Sequence, residues 1–209
     1  MTDICYVFGS ADIEDYSFVK VPADNMIICA DGGYKHAESL GLKPAWVVGD
    51  FDSSKQITGD FKVERHKSEK DETDMYLVIK KGIELGFKRF VIYGGLGGRL
   101  DHTLANIKLM QTCINKGIRL TLIDKTHRIF MIKDESITLK KGAYEYLSVF
   151  SASCESKGIS VSGVKYPLKD YKMDNLNELG ISNEITSDKA KITVKDGTLL
   201  IIESSDNHQ

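Results

Sequence analysis

The chain has no apolar run near the ~20 residues that a membrane span needs, and no secretory leader pattern opens it. Its cysteines are few and scattered. Cys5, Cys29, Cys113 and Cys154 form no CxxC pair, and no His-x-His cluster accompanies them. That disfavours a zinc site. The thiols are expected to be reduced and mostly buried, packing as small hydrophobes. Charge of one sign is not in excess either. Against 28 Lys and Arg stand 30 Asp and Glu, a net charge of −2. Composition therefore gives no electrostatic case for nucleic acid or an anionic membrane. Two familiar phosphate signatures are missing. There is no GxxxxGK(S/T), which argues against a P-loop enzyme. The glycine run that does occur neither matches GxGxxG nor follows the first strand, which disfavours a dinucleotide fold. The expectation is a globular protein whose default location is the cytoplasm, and 209 residues allow one large domain or two small ones.

The pattern along the chain divides it. Short apolar runs at Ile4–Phe8, Met26–Ala30, Ala45–Val48, Arg89–Tyr93 and Ile118–Ile123 read as buried strands. Helical segments alternate with them: Gly33–Leu40, Thr73–Leu85 (apolar at Met75, Val78, Ile79 and Ile83) and His102–Asn115 (apolar at Leu104, Ile107, Met110 and Ile114). Such alternation implies a mostly parallel sheet with helices on both faces. From about Thr126 the runs become short and alternating, at Arg128–Ile132, Ser136–Leu139, Tyr146–Phe150, Gly158–Val161, Ala190–Val194 and Leu199–Glu203. The fold class expected is thus α/β over residues 1–125, followed by a smaller antiparallel β-sandwich over residues 126–209. Asp196-Gly197 between two runs signals a hairpin.

Chemistry concentrates in the first part. Trp46-Val47-Val48-Gly49-Asp50-Phe51-Asp52-Ser53 carries an apolar strand into a loop with two aspartates one residue apart. Both can reach one hard cation, and Mg²⁺ is commonly held by one or two carboxylates plus substrate phosphates. Asp71 and Asp74 open a helix, though Asp71 as an N-cap with Asp74 near its third position is the plainer reading of that pair. Gly94-Gly95-Leu96-Gly97-Gly98-Arg99-Leu100-Asp101 ends a strand. Four glycines in five residues cost backbone entropy that a simple turn rarely requires. Asp31-Gly32-Gly33 follows another strand. Ligands of open α/β sheets bind at the carboxyl ends of the strands, so in a parallel sheet three of these loops converge on one edge. Acids for a metal, glycines for close phosphate approach and one arginine suggest phosphoryl chemistry.

In order along the chain, Asp31-Gly-Gly, Gly49-Asp-Phe-Asp-Ser53, Lys70-Asp-Glu-Thr-Asp74 and Gly94-Gly-Leu-Gly-Gly-Arg-Leu-Asp-His102 resemble the motifs of the thiamine pyrophosphokinase family. Gly163-Val-Lys-Tyr-Pro-Leu168 and Gly180-Ile-Ser-Asn-Glu184 resemble the same family's second-domain motifs. The resemblance spans nearly the whole chain and implies transfer of a diphosphoryl group from ATP to thiamine, with Mg²⁺ and release of AMP. It implies that Asp50, Asp52, Asp71 and Asp74 hold Mg²⁺ and the triphosphate. Asp31, Gly32, Gly33, Ser53, Gly95 and Gly98 would lie against nucleotide or phosphate, and Arg99 and Asp101 would line the reaction site. Tyr166 stands where relatives often carry tryptophan and would stack on the thiamine pyrimidine. Ser182 and Asn183 would hydrogen-bond that ring across the interface of a homodimer. Asp71 is favoured as the base for the thiamine hydroxyl, although sequence does not separate base from metal ligand.

Two other functions compete. Asp50-x-Asp52 after an apolar strand also resembles haloacid-dehalogenase-type phosphatases, a reading that leaves the glycine run and Asp71 and Asp74 idle. A nucleotide or thiamine sensor without turnover is the other, and crowded carboxylates beside a triphosphate argue against it unless a metal intervenes.

Overall fold

The structure is a computed structural model and describes residues 3–50, 59–66, 72–176 and 179–206. The chain folds as two compact units. One comprises Met1–Met110 with Gly117–Lys125, the other Gln111–Lys116 with Thr126–Gln209.

The first unit is built on six parallel strands: β1 (Ile4–Phe8), β2 (Met26–Ala30), β3 (Trp46–Gly49), β4 (Lys62–Arg65), β5 (Arg89–Tyr93) and β6 (Arg119–Ile123). Their order is β4-β3-β2-β1-β5-β6. The register places Tyr6, Ile27 and Val91 on one side, followed by Phe8, Cys29 and Tyr93. This face packs with Val47 against Ala37 of α1 (Tyr34–Ser39). On the other face lies α2 (Asp74–Glu84), packed over β2 and β3. α2 buries Met75, Leu77, Val78, Ile79 and Gly82. Helices thus cover both faces, as the alternating pattern implies. Burying side chains such as Phe8, Phe90 and Ile28 contributes roughly 1.5–3 kcal/mol each.

Several local expectations need correction. Ile83 is 38% exposed, because Gly82 takes the contact: a Cβ there would sit 2.3 Å from the Phe90 ring. In α3 (Leu100–Ile114) Leu104 is 51% exposed, whereas Asn106, Met110, Cys113 and Ile114 are buried. β4 is a strand that no apolar run announces, since its residues are Lys-Val-Glu-Arg at the sheet edge. Cys5, Cys29 and Cys113 are buried free thiols and Cys154 is an exposed one.

The second unit is the expected antiparallel sandwich. Its strands are β7 (His127–Lys133), β8 (Ser136–Lys140), β9 (Tyr146–Ser151), β10 (Glu155–Ser162), β11 (Leu168–Asp174), β12 (Asn183–Glu184), β13 (Lys189–Thr193) and β14 (Thr198–Ser204). They pair as β12-β9-β14-β7 and as β11-β10-β13-β8. Ile132, Leu147, Val149, Leu199 and Ile201 from the first set meet Leu139, Ile159, Met173 and Ile192 from the second in one core. The hairpin expected at Asp196-Gly197 does not form. β13 pairs with β8 and β10, while β14 pairs with β7 and β9, so this turn carries the chain from one sheet to the other. Its glycine (φ +114°) lies so close to Ser156 that a Cβ would be 2.6 Å from Oγ. Among the described residues, no helix is long and apolar enough to cross a membrane.

Candidate active site

The strand order of the first unit fixes where a ligand can sit. β2 lies on one side of β1 and β5 on the other: the chain runs outward from β1 to β4, then returns through α2 to β5 on the opposite side of β1. A crevice opens at the carboxyl ends beside such a switch point. A cleft of about 450 Å³ lies there. The segment after β1 supplies Gly9, Ser10, Ala11 and Asp12, and the end of β2 supplies Ala30. Asp50 follows β3; Glu72, Thr73, Asp74 and Met75 come from the start of α2. Gly94, Gly95, Gly97, Gly98 and Arg99 follow β5, and α3 adds His102, Ala105 and Asn106.

The glycines let backbone meet backbone. The Gly9 N–H donates to Tyr93 O at 2.8 Å and the Ala11 N–H to Gly94 O at 3.1 Å. A Cβ on Gly9 would stand 2.3 Å from the Gly94 oxygen, too close for any other residue. Gly97 and Gly98 have φ of +88° and +62°. Asn106, buried in α3, donates its Nδ2 to Gly95 O at 2.7 Å and so anchors the run to the helix.

Charge is distributed unevenly. Asp12, Asp50, Glu72 and Asp74 face the cleft with one guanidinium, that of Arg99. Asp74 is the first residue of α2, and the cap is Thr73, whose Oγ1 accepts the Tyr76 N–H at 3.2 Å. The plainer reading of Asp71 as the N-cap is therefore set aside. Arg99 grips Asp101 through Nε–Oδ1 at 3.1 Å and Nη2–Oδ2 at 2.5 Å. The bond to Arg99 holds the Asp101 carboxyl below its ordinary range, and that to Asp101 raises the guanidinium. Both side chains are mostly exposed, so the pair orients rather than stabilises. Asp101 also accepts the His102 N–H at 3.0 Å from within the first turn of α3.

The other sequence candidates fall elsewhere. Asp31, Gly32 and Gly33 form a 3₁₀ turn directly after Ala30, with Asp31 at φ +42°. Asp52, Ser53 and Asp71 lie outside the described residues. Among the described residues no three acids, cysteines or histidines gather as a ready metal cage. Two of the predicted metal-holding carboxylates, Asp50 and Asp74, share the cleft, and hard oxygen donors in that number fit a Mg²⁺ that also takes phosphate oxygens. Sequence reasoning missed Gly9–Asp12 and Asn106. A Gly-Ser pair directly after the first apolar strand was the available signal for the former. An asparagine on a helix face gave none.

In the second unit two segments join edge to edge. The Tyr166 N–H donates to Asn183 Oδ1 at 3.0 Å, Asn183 Nδ2 donates to Tyr166 O at 2.8 Å, and the Glu184 N–H shares the same Oδ1. The Lys165 N–H donates to Glu184 O, and the Thr186 N–H to Gly163 O. Asn183 is buried, whereas the Tyr166 ring is 62% exposed, with Lys165 Nζ 5.7 Å from its centre. Ser182 sits at φ +53°, its N–H donating to Ser148 Oγ at 3.0 Å. Tyr166, Ser182 and Asn183 are thus gathered by main-chain groups bonded to the Asn183 amide and the Ser148 hydroxyl.

A switch-point cleft lined with acids and glycines defines an α/β enzyme of the phosphoryl-transferring kind. Residues 21–122 match the thiamin pyrophosphokinase catalytic domain and residues 126–199 the family's vitamin B1 binding domain. The chain is 30% identical over 187 residues to a Bacillus subtilis thiamine pyrophosphokinase, covering 86% of this chain and 87% of that one. The crystal structure of a B. subtilis thiamine pyrophosphokinase superposes with a TM-score of 0.87 at 26% identity, over 97% of this chain and 99% of that one. One from Geobacillus thermodenitrificans gives 0.86 at 26% identity, over 98% and 99%. The chain belongs to the thiamine pyrophosphokinase family, as its six ordered motifs suggest.

Proposed function

We propose that this protein transfers the diphosphoryl group of ATP to the hydroxyl of thiamine, yielding thiamine diphosphate and AMP. The observation that carries the proposal is the cleft itself, where Asp50, Asp74, the Gly94–Gly98 run and Arg99 line one space in a chain of this family. ATP lies there with its phosphates along Gly95 and Gly98, and the Asp31–Gly33 turn and Ser53 flank the nucleotide. Asp50 and Asp74, with Asp52 and Asp71, would hold Mg²⁺. When bound, the cation neutralises phosphate charge that four cleft carboxylates would otherwise repel.

The thiamine hydroxyl oxygen attacks the β-phosphorus in line. A new O–P bond forms as the bond from the β-phosphorus to the α,β-bridging oxygen breaks, and AMP leaves with that electron pair. The hydroxyl proton passes to an aspartate, for which we favour Asp71. Arg99, already held flat by Asp101, turns its donors to phosphate, where a bidentate grip is strongest. Such transfer depends on alignment and charge neutralisation more than on covalent help.

Thiamine is assigned to the second unit. The exposed Tyr166 ring stacks on the pyrimidine, and Ser182 bonds to it. The Asn183 amide oxygen is already engaged by two backbone N–H groups, so Asn183 both shapes the Tyr166 loop and offers its remaining Nδ2 hydrogen. The protein acts as a homodimer with the thiamine site at the subunit interface. Leu176, Leu179 and Ile181, which precede Ser182 in the chain and are all exposed, support this. The test is purified protein with ATP, Mg²⁺ and thiamine. AMP and thiamine diphosphate should appear in equal amounts, both abolished by EDTA or by omission of thiamine. Phosphate release without thiamine diphosphate would favour the phosphatase reading instead.

A further inference from the structure

The Gly9–Asp12 wall of the cleft is made of small residues with little of their own to fix them. Besides the Gly9 N–H, which donates to Tyr93 O, what holds it is the Ala11 peptide, engaged from both sides. Its N–H donates to Gly94 O. Its carbonyl faces His36 Nε2 of α1 at 3.1 Å. A carbonyl oxygen only accepts, so Nε2 carries the hydrogen. Nδ1 of the same ring lies 2.9 Å from the Tyr16 hydroxyl; in the neutral ring it accepts that proton. Burial holds the imidazole below its ordinary pKa range, against the opposite pull of the Ala11 carbonyl and Asp12, which keeps this neutral form. Tyr16 is itself fixed, since its carbonyl accepts the Val19 N–H at 2.9 Å and Phe18 and Val19 pack into the core beneath. Ala11 lines the cleft, but neither Tyr16 nor His36 does.

We propose that His36 is a positioning residue for the nucleotide: oriented by Tyr16, it sets the Ala11 carbonyl and thereby the Gly9–Asp12 wall against which ATP binds. This rests on the cleft's taking ATP. A wall ordered before binding spares the ligand the cost of ordering it. The effect belongs to nucleotide affinity and not to thiamine affinity or the chemical step.

The experiment measures ATP affinity by titration calorimetry with Mg²⁺, and steady-state kinetics in both substrates, for the full chain and three variants. His36→Ala should raise the Kd and KM for ATP about tenfold, the worth of one lost hydrogen bond. Its kcat and its KM for thiamine should stay within about twofold of the parent. His36→Gln, whose amide nitrogen can again donate to Ala11, should recover most of the affinity. Tyr16→Phe should fall between. A folded His36→Ala variant with parental ATP affinity overturns the proposal, as does equal damage to both substrates that glutamine fails to repair. Should His36→Ala not fold, the glutamine and phenylalanine variants decide in the same way. Parent protein that binds ATP yet makes no thiamine diphosphate would overturn the reaction assigned above while leaving the ATP affinities to judge His36.

Discussion

The acid-and-glycine cleft of the first unit and the Gly163–Asn183 patch of the second are assembled on different principles. The cleft is a consequence of topology. Parallel strands end on one edge, so Asp50, Gly94 and the Gly9 segment meet although 85 residues separate Gly9 from Gly94. Its residue types are chosen by chemistry, and few others would serve. The patch is a consequence of two segments pairing locally, main chain to main chain and main chain to the Asn183 amide. Tyr166 and Asn183 are 17 residues apart and are joined by the Asn183 side-chain amide, which accepts the Tyr166 N–H and donates to Tyr166 O, while main-chain bonds pair Lys165 with Glu184 and Thr186 with Gly163. Charge must be supplied by particular side chains, whereas a recognition surface can be supplied by shape. The first kind of site therefore shows its purpose in composition, and the second does so only in context.

The comparison breaks most sharply at the aspartates. Asp50→Asn and Asp74→Asn, each isosteric, should lower kcat on the order of 10²-fold or more and leave the melting temperature nearly unchanged. Steady-state assays beside a thermal melt check both halves, and a folded variant with near-parental turnover removes that residue from the metal set. Next come two glycine substitutions that strike one site each. Gly9→Ala would place a methyl 2.3 Å from Gly94 O, and Gly163→Ala, at φ +77°, one 2.1 Å from Lys189 O. Overpacking of this kind costs about 1–3 kcal/mol. Gly9→Ala should raise the KM for ATP and Gly163→Ala that for thiamine. If each affects both substrates alike, the two sites are not separable as argued.

Legibility in the sequence follows the same division. The five apolar strands of the first unit were readable because strands buried on both faces are continuous apolar runs. β4, an exposed edge of Lys-Val-Glu-Arg, has no such run and was invisible. Asp50, Asp74, Arg99 and the glycine run stood out by type. Asn106 did not, since a buried amide satisfying one carbonyl looks like any polar residue on a helix. The Asp196-Gly197 turn misled for a physical reason: its local chemistry is that of a hairpin, yet which sheet receives β14 is decided by the sandwich core, where Leu199 and Ile201 must face inward.

Asn183 sharpens the comparison at a smaller scale. Asn183→Ala removes the acceptor of two backbone N–H groups and the donor to Tyr166 O. An unmet buried group costs about 1–3 kcal/mol. The variant should lose that much stability in a denaturant titration and show a raised KM for thiamine with an unchanged Kd for ATP. Loss of stability without a change in thiamine KM would mean that the Tyr166 loop is structural only.

The smallest effect lies away from both sites. Glu203 on β14 is buried opposite Arg128 of β7, with which it forms an ion pair. Desolvation raises its carboxyl above the ordinary 4.5, and the guanidinium offsets this only in part. The sign follows from linkage. A folded-state pKa above the unfolded one means that the folded protein holds the proton more tightly. The carboxyl's stabilising contribution is therefore complete below pH 4.5 and is lost as pH rises through the raised value. Glu203→Gln cannot ionise and has no such slope. The melting temperature of the parent minus that of the variant should thus be greatest in mild acid and shrink towards neutrality. A difference that instead grew with pH would mean that Arg128 outweighs burial, and that the pair stabilises the sandwich as an ion pair.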